Sequence, residues 1–149
     1  MDEYAQSVSR IQDQFGISFR KASQTDLASL EPFGLPESLN AFFAEHEPSS
    51  CIDGPRRLWP ITEVVRENTD FVPGCYLTNH GYFVFATNIS GDPCCFDLND
   101  KGNGGPRIVQ FWHDDSHEAM SPEQVHAIAQ PIAANLLEFL QLYAEDRLD

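Results

Sequence analysis

The sequence predicts an α+β fold: an antiparallel sheet of four to six strands, packed by N-terminal helices and a C-terminal helix. Three observations lead there. Apolar residues at helical spacing occupy both ends of the chain, short apolar runs bounded by turn residues fill its middle, and the turns between those runs are too short for parallel crossovers. Helices and strands segregated in this way indicate α+β rather than alternating α/β. At 149 residues the chain has one-domain length and enough mass to bury a core. The expected single domain covers 1–149, with its core over about 23–146 and residues 1–22 as an N-terminal helix and extension.

Each element has a local reason. Tyr4, Val8, Ile11 and Phe15 share one helical face, and Gly16 is a natural stop. Ser23 with Asp26 three residues on suggests a capped short helix through Leu27 and Leu30. Pro36 suits the first turn of a helix whose apolar stripe is Leu39, Phe42 and Phe43, ending before Pro48. Residues 48–57 read as a loop, and Thr62–Arg66 as a short strand followed by a helical turn. Cys75–Thr78 and Tyr82–Ala86 read as two strands about a tight turn at Asn79-His80-Gly81. After a second turn over Asn88–Pro93 come a strand at Cys94–Leu98, the turn-rich Asn99–Pro106, and a strand at Arg107–Trp112. Ser121-Pro122-Glu123-Gln124 is a helix start that Pro131 interrupts. Ile132, Leu136, Leu140 and Tyr143 then line one face of a closing helix.

Composition narrows the partners. The chain carries 23 Asp and Glu against nine Lys and Arg, a formal net charge of −14. Residues 1–75 hold six basic and twelve acidic side chains, and residues 76–149 hold three and eleven, so no acidic tail accounts for the excess. A nucleic-acid binder needs clustered Lys and Arg to neutralise phosphates, and an anionic membrane repels such a surface. Neither nucleic acid nor membrane is an expected partner. At 42% hydrophobic residues the chain is too apolar for a disordered acidic segment. Met1-Asp2-Glu3-Tyr4 lacks the basic and apolar regions of a signal peptide, so a cytoplasmic location is expected. Cys51, Cys75, Cys94 and Cys95 are read as reduced thiols; on a strand the last two would point to opposite faces. No C-x₂-C pair suggests zinc.

Residues that could carry chemistry do not assemble into a recognised motif. His113-Asp114-Asp115-Ser116-His117-Glu118 has ligand-type side chains, but it follows a strand in a loop where a helical i, i+4 His pair is not assured. Asp97-Leu98-Asn99-Asp100-Lys101-Gly102 imitates the start of a calcium loop, yet Lys101 and Ile108 stand where oxygen ligands are required. There is no nucleophile elbow, phosphate loop or dinucleotide fingerprint, and no Ser or Cys frames His80 as a catalytic base. No catalytic residue, metal or cofactor is assigned.

The order of the pieces resembles the SUKH superfamily. Leu35-Pro36-Glu37-Ser38-Leu39-Asn40-Ala41-Phe42-Phe43 resembles its LP-x-x-L-x-x-F helix, and Leu58-Trp59-Pro60-Ile61 with Glu63-Val64 its next segment. Asn79–Ala86, Ser90-Gly91-Asp92 and Phe96-Asp97-Leu98 resemble its central hairpins, and Pro106–Val109 through His113-Asp114 the strand and loop that follow. Ile132–Leu140 is similar to its closing helix, so the likeness runs from about Leu27 to Leu142. His46-Glu47-Pro48 departs from it, where many members carry Asn-Gly. The resemblance implies a SUKH-like fold and a non-catalytic binding protein, an immunity protein that neutralises a bacterial toxin, often a nuclease, by direct contact. Its expected partner is a basic toxin domain, towards which the −14 charge would steer association. The candidate face combines Trp59, Asp92, Asp97, Trp112, Asp114 and Asp115. Fungal relatives imply an alternative, a regulatory scaffold of the cell-wall assembly regulator type. A third reading is a metal-dependent hydrolase using His113, Asp114 and His117.

Overall fold

The computed structural model describes residues 2–49, 54–102, 104–115 and 119–148. Helix α1 (Glu3–Phe15) begins where the Asp2 carboxylate accepts the Ala5 amide at 2.7 Å, and ends at Gly16 in the left-handed region, φ 71°. Strand β1 (Phe19–Arg20) leads to α2 (Gln24–Ala28), capped by Ser23, and to a 3-10 turn over Glu31–Phe33. Helix α3 (Glu37–Glu45) starts after Pro36 and is followed by β2 (Glu47–Pro48), the antiparallel partner of β1.

The main sheet is an antiparallel meander. Its strands are β3 (Arg57–Leu58), β4 (Tyr82–Thr87), β5 (Pro93–Asp97), β6 (Ile108–Gln110) and β7 (Gln130–Ala133), in spatial order β3-β4-β5-β6-β7. Helices α4 (Ile61–Thr69) and α5 (Gly74–Leu77) lie between β3 and β4, α6 (Pro122–Ile128) precedes β7, and α7 (Leu136–Ala144) closes the fold. Among the described residues no helix is long and apolar enough to cross a membrane.

Both faces of the central strands are covered, so β4 and β5 are buried at every position. Phe83, Phe85, Cys94, Phe96 and Ile108 join the larger core with Val8 and Ile11 of α1, Leu39, Phe42 and Phe43 of α3, and Phe139 and Tyr143 of α7. Tyr82, Val84, Cys95, Val109 and Phe111 form the smaller core with Leu77 and Val125. Cys94 and Cys95 thus lie on opposite faces, as period two requires. The β4–β5 register shifts between Val84 and Ala86, and this bulge puts both Phe85 and Ala86 on the larger core. There Phe85 stacks on Phe96 with centroids 4.2 Å apart.

Two buried polar side chains tie the helices to this frame. Asn68 takes the place of a strand neighbour: Val84 N donates to its Oδ1 and its Nδ2 donates to Val84 O, each at 2.8 Å. Glu47 accepts from Arg20 Nε at 3.0 Å and, with its other oxygen, from Ile61 N at 2.8 Å, joining the small sheet to the start of α4.

Several local expectations are corrected. Cys75–Thr78 is not a strand but α5 running into a 3-10 turn over Thr78–His80. Only Gly74 and Leu77 of α5 are buried, so one side of a short apolar run faces the sheet, a pattern that a four-residue sequence window cannot distinguish from a strand. Gly74 also sits so close to Glu67 O that a Cβ there would collide with it. Thr62–Arg66 is helical throughout, within α4. The stretch 48–57 contains the ends of β2 and β3, and Pro131 sits in β7, an edge strand where a missing N–H is tolerated. Ile132 accordingly belongs to β7, and α7 starts four residues later after its Asn135 cap.

Candidate functional site

One end of the sheet gathers the β4–β5 turn and the chain leaving β6. In the turn, Asn88 Oδ1 accepts the amides of Ser90 at 3.0 Å and Asp92 at 2.9 Å, while Asn88 Nδ2 donates to Asp92 Oδ2 at 3.0 Å. Asp92 is 1% exposed, and its Oδ1 accepts from His113 N at 2.9 Å and lies 2.6 Å from His113 Nδ1. Burial alone would raise the Asp92 carboxyl, but the His113 amide, the Asn88 amide and the His113 ring together hold it below the ordinary carboxylate range. Asp92 in turn raises the His113 imidazole above its usual value, with partial opposition from desolvation and support from the charge of Asp114. Asp92 is therefore a latch between two loops, not a surface acid. What the latch presents is the segment beyond it: Trp112, Asp114 and Asp115 are all exposed, and Asp115 N closes a turn onto Trp112 O at 3.0 Å.

Asp97 lies at the other end of β5, about 13 Å along the strand at ~3.3 Å per residue. It too is buried and partnered, accepting from Arg107 Nε at 2.8 Å and from Asn99 N at 3.0 Å. That hydrogen bond raises the Arg107 guanidinium. Asp100 accepts from Gly102 N and Arg107 N, which lower its carboxyl. The Tyr82 hydroxyl lies 2.6 Å from His126 Nδ1 and is raised by burial and by Asp97, against the opposing Arg107. With Asn99 these residues line an open pocket of about 510 Å³. Its carboxylates are already engaged by protein donors.

The six candidate residues therefore do not share one face. Trp112, Asp114 and Asp115 stand together, Asp92 braces them from below, and Asp97 belongs to the opposite end. Trp59 packs inward against the larger core beside Phe19, Pro48 and Leu58, its indole N–H buried without an acceptor among the described residues. The metal reading named His117, which lies outside the described residues, as does Cys51. Among those described, no group of three or more His, Cys, Asp and Glu is arranged to hold a metal ion. Burial pushes the Cys94 thiol up to about 11 and Cys95 well above its ordinary value, which suits inert core thiols. Ile89, at the tip of the β4–β5 turn, is a residue that sequence reasoning passed over; its signal was a large aliphatic side chain in Asn88-Ile89-Ser90-Gly91, where turn chemistry calls for none.

The sequence model of the SMI1 / KNR4 family (SUKH-1) matches residues 21–142. The chain belongs to this family. SUKH-1 membership agrees with the α+β architecture, and it supports roles of the immunity-protein or cell-wall-regulator type in general. All six candidate residues fall inside the matched span, whereas α1 precedes it. No curated protein matches this SUKH-1 chain.

Proposed function

We propose that this SUKH-1 chain is a non-catalytic binding protein of the immunity type that neutralises a basic toxin domain by direct contact. Trp112 carries the reading. It is a large aromatic side chain left exposed beside Asp114 and Asp115, on a segment pinned at its root where the exposed His113 bonds the buried Asp92 carboxylate. Trp is among the residues that dominate interface energetics, and a pinned segment loses little conformational freedom when a partner docks. The flanking carboxylates and the net charge of −14 favour a cationic partner and speed its encounter.

The test is co-expression with a toxin-type domain encoded beside this gene, scored by cell survival. Wild type should protect, and Trp112→Ala should protect poorly at equal protein level. With the purified pair, association should slow about tenfold or more between roughly 50 mM and 500 mM salt, because the steering field is screened within a Debye length. Survival without the chain, or an association rate indifferent to salt, overturns the proposal.

A further inference from the structure

We infer that the docking surface extends beyond Trp112, across the β4–β5 turn to the segment joining α4 and α5, and that it receives a cationic protein surface carrying projecting aliphatic side chains. This rests on the binding role proposed above and specifies the chemistry of the partner.

Among the described residues the exposed large apolar side chains are Phe71 at 40%, Val72 at 64%, Ile89 at 87% and Trp112 at 53%. Single exposed apolar residues scattered over a surface need no explanation, but these belong to three segments that all meet the same turn. Ile89 is on the turn itself. Trp112 precedes His113, which is hydrogen-bonded to Asp92 at the end of the turn. Val72 and Pro73 border a small cleft together with Gly91 and Pro93. The Arg66 guanidinium sits 5.0 Å from the Phe71 ring centre and covers one face of it, which leaves Val72, Ile89 and Trp112 as open anchors.

Folding does not require Ile89 to be apolar. The turn is already held by Asn88 and by Gly91 at φ 87°, and an isoleucine standing out from it, 87% exposed, buries little against the described residues. The exposed carboxylates of Asp70, Asp114 and Asp115 accompany the anchors, an apolar centre with an acidic rim. A second copy would set −14 against −14 and the same rim against itself, and an anionic membrane would meet the same repulsion. A cationic protein surface answers both parts of the patch.

The experiment uses the full chain and two synthetic peptides of equal charge, one of repeating Leu-Lys-Lys-Leu and one of repeating Ser-Lys-Lys-Ser, followed by backbone amide shifts and by titration. The Leu peptide should shift residues 71–72, 88–92 and 112–115 and bind at least about tenfold more tightly than the Ser peptide. Ile89→Asp and Val72→Asp should each weaken it about tenfold, although each adds a negative charge that steering alone would reward. Ala41→Asp, on the exposed side of α3, should leave it unchanged. Equal binding of the two peptides, shifts centred elsewhere, or concentration-dependent dimerisation through this patch overturns the inference. If Trp112→Ala weakens binding while Ile89→Asp does not, the extension falls and the binding role stands. If neither variant has an effect, both fall.

Discussion

Removing the Asp92 carboxylate should destabilise the fold in a manner that depends on pH. In Asp92→Ala the His113 amide and the Asn88 side-chain amide both lose an acceptor that is almost wholly buried. Leaving a buried donor unpaired costs about 1–3 kcal/mol; both of these bonds are only part-buried, which favours the lower part of that range, roughly 2–4 kcal/mol for the two together. The His113 ring is left out of that sum because water can replace its contact. For a chain of this length each kcal/mol lowers Tm by about 2–4 °C, giving an expected drop of roughly 4–16 °C. The folded carboxyl lies below its ordinary value, so its stabilisation is present above the unfolded pKa, near 4, and is lost as pH falls through the depressed folded value. The folded imidazole lies above its ordinary value, so its share is fully present below about 6.5 and is lost as pH rises through the raised folded value. The gap between wild type and Asp92→Ala should therefore be widest between about pH 4.5 and 6, smaller at 8, and smallest near 3. Thermal unfolding followed by near-UV circular dichroism at those pH values measures it. Asp92→Asn, which keeps one acceptor oxygen, should retain part of the stability and lose the pH dependence. An Asp92→Ala protein that melts with wild type, or a gap constant from pH 3 to 8, would refute the latch.

Other outcomes follow from the same geometry. Asn68→Ala should cost about 2–4 kcal/mol in urea unfolding, because Val84 N and O lose their partners at the bulge inside the sheet. Trp112→Ala should shift stability by about 1 kcal/mol or less while weakening binding of the proposed basic partner at least tenfold by calorimetry. A thiol reagent at pH 8 should leave Cys94 and Cys95 unmodified in the native protein, as read by peptide mass spectrometry, and label both after denaturation.

The parts of the fold that were legible in the sequence are those with a local cause. Gly16 stops α1, Ser121 and Gln124 form the capping box of α6, and the turn-bounded apolar runs Tyr82–Phe85 and Cys94–Phe96 mark the two central strands. The misread segments are those decided by a distant contact. Cys75–Leu77 is equally apolar as helix or strand; the choice is made by the packing of Gly74 on Glu67 and of Leu77 on the smaller core. Pro131 reads as a helix breaker, and its place in β7 depends on the free edge of a sheet that no local window contains. Glu47 and Asn68 are ordinary polar residues until their partners, 14 and 16 residues away at Ile61 and Val84, are brought to them.

The acidic residues divide by the same logic, and this bears on how the −14 can act. Asp92 and Asp97 stand in turn motifs, where an Asp is suited both to bracing a loop and to meeting a partner, and sequence alone does not separate the two uses. In the fold each carboxylate is buried and satisfied by protein donors, with a cationic or ionisable side chain against it: His113 for Asp92, Arg107 for Asp97. A buried charge so compensated contributes little to the field in solvent, and exposing it to a partner would first require breaking its own bonds. Steering must then come from exposed acids, of which Asp115 and Asp114, the latter 3.2 Å from His113 Nε2, stand beside Trp112. The buried acids act at one remove: Asp92 fixes the segment that carries the exposed pair, so its loss should raise the cost of ordering Trp112 on binding even where the fold survives.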